Sequence, residues 1–155
     1  LLKLYNAYET GRLDLSGRQL KQIPVELISG YGQDCTKPAG ALIPVLTSLN
    51  LNNNSFEELT DEIALLTSLT DLRLTANHLI DFPPSAMNIT NLEILHLDKN
   101  KLGSVPVDMG KLVKLKELIL SDNAITYFPD SFGHLHLLET LRADRNSINH
   151  LPETL

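Results

Sequence analysis

The segment Leu92-Glu93-Ile94-Leu95-His96-Leu97-Asp98-Lys99-Asn100-Lys101-Leu102-Gly103-Ser104-Val105-Pro106 places aliphatic side chains at a fixed set of offsets, with one asparagine and one proline between them. The same offsets recur along the chain. Leu49, Leu72, Leu95, Leu118 and Leu141 follow one another at intervals of 23 residues, and so do Asn54, Asn77, Asn100, Asn123 and Asn146. Pro83, Pro106, Pro129 and Pro152 keep that step, as do Leu66, Ile89, Leu112 and Leu135. Several independent columns sharing one period define a tandem repeat, in which each unit is one supersecondary element.

The Leu-x-Leu core of each unit alternates with period two, so both leucines face one side of a short strand. A single unit cannot bury them. Stacked units bury them together, with a parallel sheet on one side and a continuous apolar core behind it. The asparagine follows the strand, where the chain turns away. Its amide donates and accepts, so a column of asparagines (Asn54, Asn77, Asn100, Asn123, Asn146) is expected to act as a structural ladder that satisfies turn groups. The proline after the next apolar residue ends the extended direction. The return segment, such as Asp108–Leu112, is a short helix, a 3₁₀ turn or an extended run, and the sequence does not choose among them.

The repeat resembles the leucine-rich repeat, LxxLxLxxNxL, whose unit is 20–29 residues. Five units fit from about Leu46 to Leu155. An earlier one begins near Arg12, with Leu13, Leu15, Leu20, Ile23 and Pro24, and has Arg18 in the asparagine column. The resemblance implies an α/β fold: a leucine-rich repeat solenoid, a curved right-handed horseshoe with its parallel sheet on the concave face. Phe128-Pro129-Asp130-Ser131-Phe132-Gly133-His134-Leu135 and Val105-Pro106-Val107-Asp108-Met109-Gly110-Lys111-Leu112 are similar to the (L/F)PxxIGxL phrase of the intracellular, Ras-group type exemplified by the Erbin and Scribble scaffolds. That likeness implies a module that binds proteins through the concave face, with a small GTPase or another signalling protein as partner. It also leaves open the recognition arm of a larger signalling enzyme (a kinase, GTPase or cyclase) whose catalysis lies outside these residues.

Two places depart from the period. Leu13 and Leu49 are 36 residues apart, so about 13 extra residues lie between the first two units, placed around residues 28–41. At the start, Leu1, Leu4, Tyr5 and Tyr8 recur at helical spacing, so residues 1–11 are expected to form a capping helix ending near Gly11, with repeats over 12–155. The chain begins at Leu1 and no comparable cap follows Leu155, which suggests a segment of a longer protein.

Composition narrows the function classes. The chain has 155 residues, 43% hydrophobic and 21% charged, with 13 basic against 19 acidic side chains and a net charge of −6. The acidic balance argues against a nucleic-acid surface. No apolar run is long enough to insert into a membrane. The single cysteine, Cys35, cannot form an internal disulfide, which points to a reducing, cytoplasmic setting. The sequons at Asn53 and Asn88 matter only in the secretory pathway.

The strand face opposite the leucines carries the candidate partner-binding residues. Its central column reads Asp14, Asn50, Arg73, His96, Ile119, Arg142, and the preceding column contains Asp71, Ile94 and Glu117. The following columns supply Asp98, Ser121 and Asp144, then Lys99, Asp122 and Arg145. Ile94 and Ile119 are apolar where water is expected, with charged neighbours around them, the layout of an interface anchor and its rim. Isolated surface isoleucines are the plain alternative. Both signs of charge fit a protein partner better than a phosphate backbone. Enzyme signals are weak. His96, Asp98 and Ser121 share the face, but an open sheet supplies neither a buried orienting acid nor an oxyanion hole. His134 and His136 have no ligand-spaced carboxylate or thiol partner, and no cofactor motif occurs. The expectation is a non-enzymatic module without a cofactor or metal.

Overall fold

The computed structural model describes residue 7, residues 9–24 and residues 46–153. Among the described residues six three-residue strands follow one another: β1 (Arg12–Asp14), β2 (Ser48–Asn50), β3 (Asp71–Arg73), β4 (Ile94–His96), β5 (Glu117–Ile119) and β6 (Thr140–Arg142). They form one open parallel sheet in sequence order. The register aligns the repeat columns, pairing Leu72 with Leu95 and Leu95 with Leu118. The fold is therefore a leucine-rich repeat solenoid of the α/β class.

Alternation along each strand decides which side is buried. Leu49, Leu72, Leu95 and Leu118 point inward with no exposed surface, as do Leu51, Leu74, Leu97 and Leu120 just beyond the strands. Full burial of each such side chain contributes about 1.5–3 kcal/mol. Strand hydrogen bonding continues past the third residue, since the amides of Leu51, Leu74 and Leu97 each donate at 2.8 Å to the next strand's final carbonyl.

The return segments form 3₁₀ turns at Asp61–Leu65, Pro84–Asn88, Met109–Lys111 and Asp130–His134. Ile63, Ala86, Met87, Met109 and Phe132 on these turns pack into the same core. Each turn ends when the following aliphatic amide bonds back three residues, as Leu112 does to Met109 at 3.1 Å. A unit of this length has few residues left for its return, and short 3₁₀ pieces use them economically.

Coils approach so closely on this side that Gly110 is sterically required. A Cβ there would lie 2.2 Å from the carbonyl oxygen of Ser131 on the next coil. Gly110→Ala should lower stability by about 1–3 kcal/mol through forced separation of two backbones. Gly103→Ala is the control, because its methyl would meet nothing within 4 Å. Thermal melts of the two variants should diverge, and equal melting temperatures would contradict the close packing.

The asparagine column joins consecutive coils. Asn100 Nδ2 donates to the carbonyls of Leu74 (2.9 Å) and Leu97 (3.0 Å), while its Oδ1 accepts from the Leu79 amide at 3.0 Å. Asn77 repeats the pattern with Leu51, Leu74 and Phe56. Asn123 does so with Leu97, Leu120 and Leu102. Asn146 does so with Leu120, Ala143 and Ile125. Asn54 bonds the Leu15 and Leu51 carbonyls and the amides of Arg18 and Leu20. Each asparagine thus bonds one carbonyl of its own coil and reaches the preceding coil with its other bonds, and Arg18 occupies the corresponding position of the β1 coil.

A residue with left-handed backbone precedes each ladder position. Gly17, Asn53, Ala76, Lys99, Asp122 and Arg145 all have φ between 54° and 65°. This conformation turns the amide toward the next coil, so Ala76 N donates to Asp98 O at 3.0 Å and Lys99 N to Ser121 O at 2.9 Å. For alanine the left-handed region costs about 1–2 kcal/mol. Ala76→Gly should therefore raise stability by about 0.5–1 kcal/mol, the relief exceeding glycine's extra unfolded-chain entropy. A denaturant midpoint that falls on this substitution would contradict the assignment.

Before β1, Ala7, Glu9 and Thr10 are helical, and Ala7 is buried in the core. Gly11, at φ 67°, ends that turn with its amide 2.8 Å from the Ala7 carbonyl, the single-bond left-handed cap. The remainder of the 1–11 segment, and the insertion placed at 28–41, lie outside the described residues.

Candidate functional site

The sheet presents one face to the core and the other to solvent. Residues flanking each inward leucine stand on the open face, and the register sets them in rows. One row crosses the sheet as Arg73, His96, Ile119, Arg142, and a second as Asp71, Ile94, Glu117, Thr140. Neighbours in a row are about 4.8 Å apart, the spacing of hydrogen-bonded strands. Ile94 and Ile119 lie on adjacent strands, diagonal to each other, and both are half-buried.

Most charged groups here are bonded to one another. Arg73 Nε donates to Asp71 Oδ1 at 2.9 Å, and the Ser48 hydroxyl reaches Asp71 Oδ2 at 3.3 Å. This carboxylate pushes the Arg73 guanidinium's pKa further up, and Glu117 adds to the effect. His96 Nε2 sits 3.1 Å from Glu117 Oε1 on the neighbouring strand. Thr75 Oγ1 donates to Asp98 Oδ1 at 2.8 Å, and the Thr75 amide donates to Asn52 Oδ1 at 2.8 Å. The Ser121 hydroxyl donates to Asp144 Oδ1. Arg145 grips Asp122 with Nε and Nη2 and reaches Asp144 with Nη1. Arg145's hydrogen bond holds the Asp122 carboxyl below its ordinary pKa range. The Asp144 carboxyl is held low first by Ser121 and then by the Arg145 charge.

These bonds separate the residues singled out from sequence into two groups. Asp71, Arg73, Ile94, His96, Glu117, Ile119 and Arg142 stand on the strands themselves. Asp98 and Asp144 follow just beyond, and Lys99, Asp122 and Arg145 occupy the left-handed turns at the strand ends rather than the strand face. The turn residues form a rim along one edge. His96, Asp98 and Ser121 are not joined to each other, since His96 bonds Glu117, Asp98 accepts from Thr75, and Ser121 bonds Asp144. The three residues therefore do not form one hydrogen-bonded set.

Sequence reasoning did not anticipate the left-handed column. Its signal was Gly17, Asn53 and Asp122, residue types that tolerate φ > 0, at one repeat position. The cross-coil bonds of Thr75, Ser121 and Arg145 were also missed, although each links residues 23 apart and so lies within one column.

Comparisons with known proteins agree with this geometry. A leucine rich repeat family model matches residues 90–148 and a second matches residues 45–66. The chain is a leucine-rich repeat protein. Among solved structures it is similar to a leucine-rich repeat protein of Leptospira interrogans, at 30% identity and a TM-score of 0.84, over 99% of this chain and 36% of that one. An internalin of Listeria monocytogenes matches at 25% identity and a TM-score of 0.62, over 70% of this chain and 32% of that one. The ectodomain of an Arabidopsis thaliana membrane receptor kinase, solved in complex with Casparian strip integrity factor 2, matches at 31% identity and a TM-score of 0.68, over 82% of this chain and 14% of that one. The chain thus spans about a third or less of the length of these three. A comparison with curated protein sequences returns no match.

Proposed function

We propose that this chain is a protein-recognition module that holds its partner on the open sheet face and acts as a scaffold without chemistry of its own. The observation that carries this reading is the state of that face. Most of its charged side chains are held by neighbours, within a strand as in Arg73–Asp71 or across strands as in His96–Glu117, while Ile94 and Ile119 remain partly open at its centre. A face ordered in advance loses little side-chain entropy on binding. The six strands span about 25 Å, enough for a contact of roughly 800 Å² per partner. The receptor-kinase ectodomain that resembles this chain is itself solved with a bound partner.

The finer reading is an intracellular, cytoplasmic protein of the Ras-group type that binds a small GTPase or another signalling protein. The phrases ending at Leu112 and Leu135, together with the single cysteine, support it. A second reading is the recognition arm of a larger signalling enzyme. The greater length of the similar structures favours keeping it in view.

Capture experiments with the immobilised chain and its Ile119→Asp, Arg142→Glu double variant test the site. The variant should lose the main partner by about tenfold or more. Its melting temperature should stay within a degree or two, because neither side chain belongs to the core. Undiminished capture by a folded variant would move the site off the sheet face.

A further inference from the structure

The flank of the coils beyond the asparagine ladder differs from the sheet face, where acids and bases nearly cancel. From the ladder into the 3₁₀ turns the chain runs through residues 55–62, 78–85 and 101–108. These stretches are stacked by backbone bonds such as His78 N to Phe56 O and Lys101 N to Leu79 O, both 2.8 Å. Together with Lys21 on the coil before them, they carry the carboxylates of Glu57, Glu58, Asp61, Glu62, Asp81 and Asp108. Against these stand Lys21, Lys101 and the imidazole of His78. Asp108 is taken by Lys111 at 2.7 Å. Glu57, Glu58 and Asp81 are exposed and make no side-chain hydrogen bond or ion pair among the described residues. Carboxylates on this flank therefore outnumber lysines even after Asp108 is set aside.

The same flank is grooved. Three adjoining open hollows, of about 400, 300 and 270 Å³, cross the coils of β1 to β4. The first is lined by Lys21, Ser55, Glu57, Glu58 and Ile80. The second shares Glu57, Glu58 and Ile80 and adds Asp81 and Pro83. The third shares Asp81 and continues along Pro84 and Pro106. Ile80 is 57% exposed, and Val107, next to Pro106, is 68% exposed. The repeat does not require an aliphatic group at either place. The Ile80 column otherwise holds Glu57, Gly103, Thr126 and Asn149, and the Val107 column holds Asp61, Pro84, Asp130 and Glu153. Ile80 is one residue from Asp81 and one coil from Glu57, with Glu58 diagonal to it, so an open apolar contact is ringed by three carboxylates. Four coils at about 4.8 Å cover about 14 Å, which four to five residues of an extended chain cross.

We propose that this flank groove is a second docking surface, separate from the sheet face, and that it takes an extended basic segment of a partner protein. One aliphatic side chain of the segment packs on Ile80, with a lysine or arginine before and after it. One cation meets Glu57 and Glu58, and the other meets Asp81. Lysine and arginine suit the groove because their stems lie along the isoleucine and proline surface while their heads stay in water beside the carboxylates. No cation of the chain has to be displaced from Glu58 or Asp81 first. Complementary charge here sets orientation and excludes wrong partners more than it adds raw affinity, and the exposed aliphatic groups supply the apolar anchor. An acidic segment or a phosphate backbone would meet like charge along the groove.

The test is a phage-displayed library of random dodecapeptides selected on the full chain, followed by affinity measurements on synthetic copies of the winners. The winners should carry Lys or Arg on both sides of a Leu, Ile, Val or Met. Glu58→Lys combined with Asp81→Lys should weaken them about tenfold, and Ile80→Ser about threefold. Melting temperatures should hold, because all three side chains are exposed. Glu139→Lys combined with Glu153→Lys makes the same change in net charge at exposed positions outside the groove and should leave affinity within about twofold. The Ile119→Asp, Arg142→Glu variant should bind these peptides as the parent chain does, so failure here and failure of the sheet-face reading are told apart. Equal weakening by the two lysine pairs would reduce the attraction to net charge and overturn the proposal. Winners without basic residues, winners indifferent to Ile80→Ser, winners lost on the sheet-face variant, or no enrichment at all would overturn it as well.

Discussion

Leu95→Ala should remove about 2–5 kcal/mol of folding free energy. Leu95 is fully buried on β4, between Leu72 on β3 and Leu118 on β5, which are its register partners. The cost has two parts, the lost transfer energy of the deleted atoms and the cavity they leave. The cavity cannot close easily here. Its walls belong to three coils whose spacing is held by strand hydrogen bonds and by Asn100 and Asn123. Total stability of a domain this size is about 5–15 kcal/mol, so the substitution is a large fraction of it. In a solenoid, stability is a sum of unit and neighbour-interface terms, and a central coil contributes to two interfaces. Urea unfolding should show a clearly lower midpoint. A loss below about 1 kcal/mol would mean that the leucine column does not form a shared core.

Asn100→Ala should cost about 1–3 kcal/mol, though it deletes little apolar surface. The alanine leaves the Leu79 amide without its acceptor, while the Leu74 and Leu97 carbonyls each lose one of two asparagine donors and keep Asn77 and Asn123 respectively. A buried group left unpaired in this way costs about 1–3 kcal/mol. Asn100→Asp is not a rescue. It keeps an acceptor for Leu79 but sets a carboxylate against two carbonyl oxygens. Asn77→Ala should be the most costly of the ladder, since Asn77 is only 4% exposed. Melting curves for the three variants decide the matter. Unchanged midpoints in all of them would mean that the coils do not depend on these bridges.

The strand register was readable in the sequence, because a period of 23 aligned five leucines and the structure pairs those leucines directly. The inward and outward sides followed from alternation. The 3₁₀ form of the return segments was not readable. Asp61–Leu65 and Pro84–Asn88 have the length of a helical turn and nothing local that excludes one, and stacking on neighbouring coils selects the tighter form. The left-handed column was hidden for a related reason. Ala76, Lys99 and Arg145 have no intrinsic preference for φ > 0, and the hydrogen bond to the next coil imposes it.

On the candidate face, sequence could place residues in columns but not say which were already occupied. Arg145 and Arg142 look alike in a list of cations. In the structure one is held by Asp122 and Asp144, and the other stands beside Ile119 without a bonded partner among the described residues. That difference depends on side-chain reach between neighbouring coils, which a column alone does not encode.

The central claim is that consecutive coils are bound edge to edge through their strand amides and asparagine side chains. Hydrogen exchange followed by NMR tests it most directly. The backbone amides of Leu74, Leu97 and Leu120 and the side-chain amide protons of Asn77, Asn100 and Asn123 should exchange far more slowly than the exposed Asn88 side chain. Exchange of the asparagine side-chain protons at the rate of free amides would contradict the stacked-coil account.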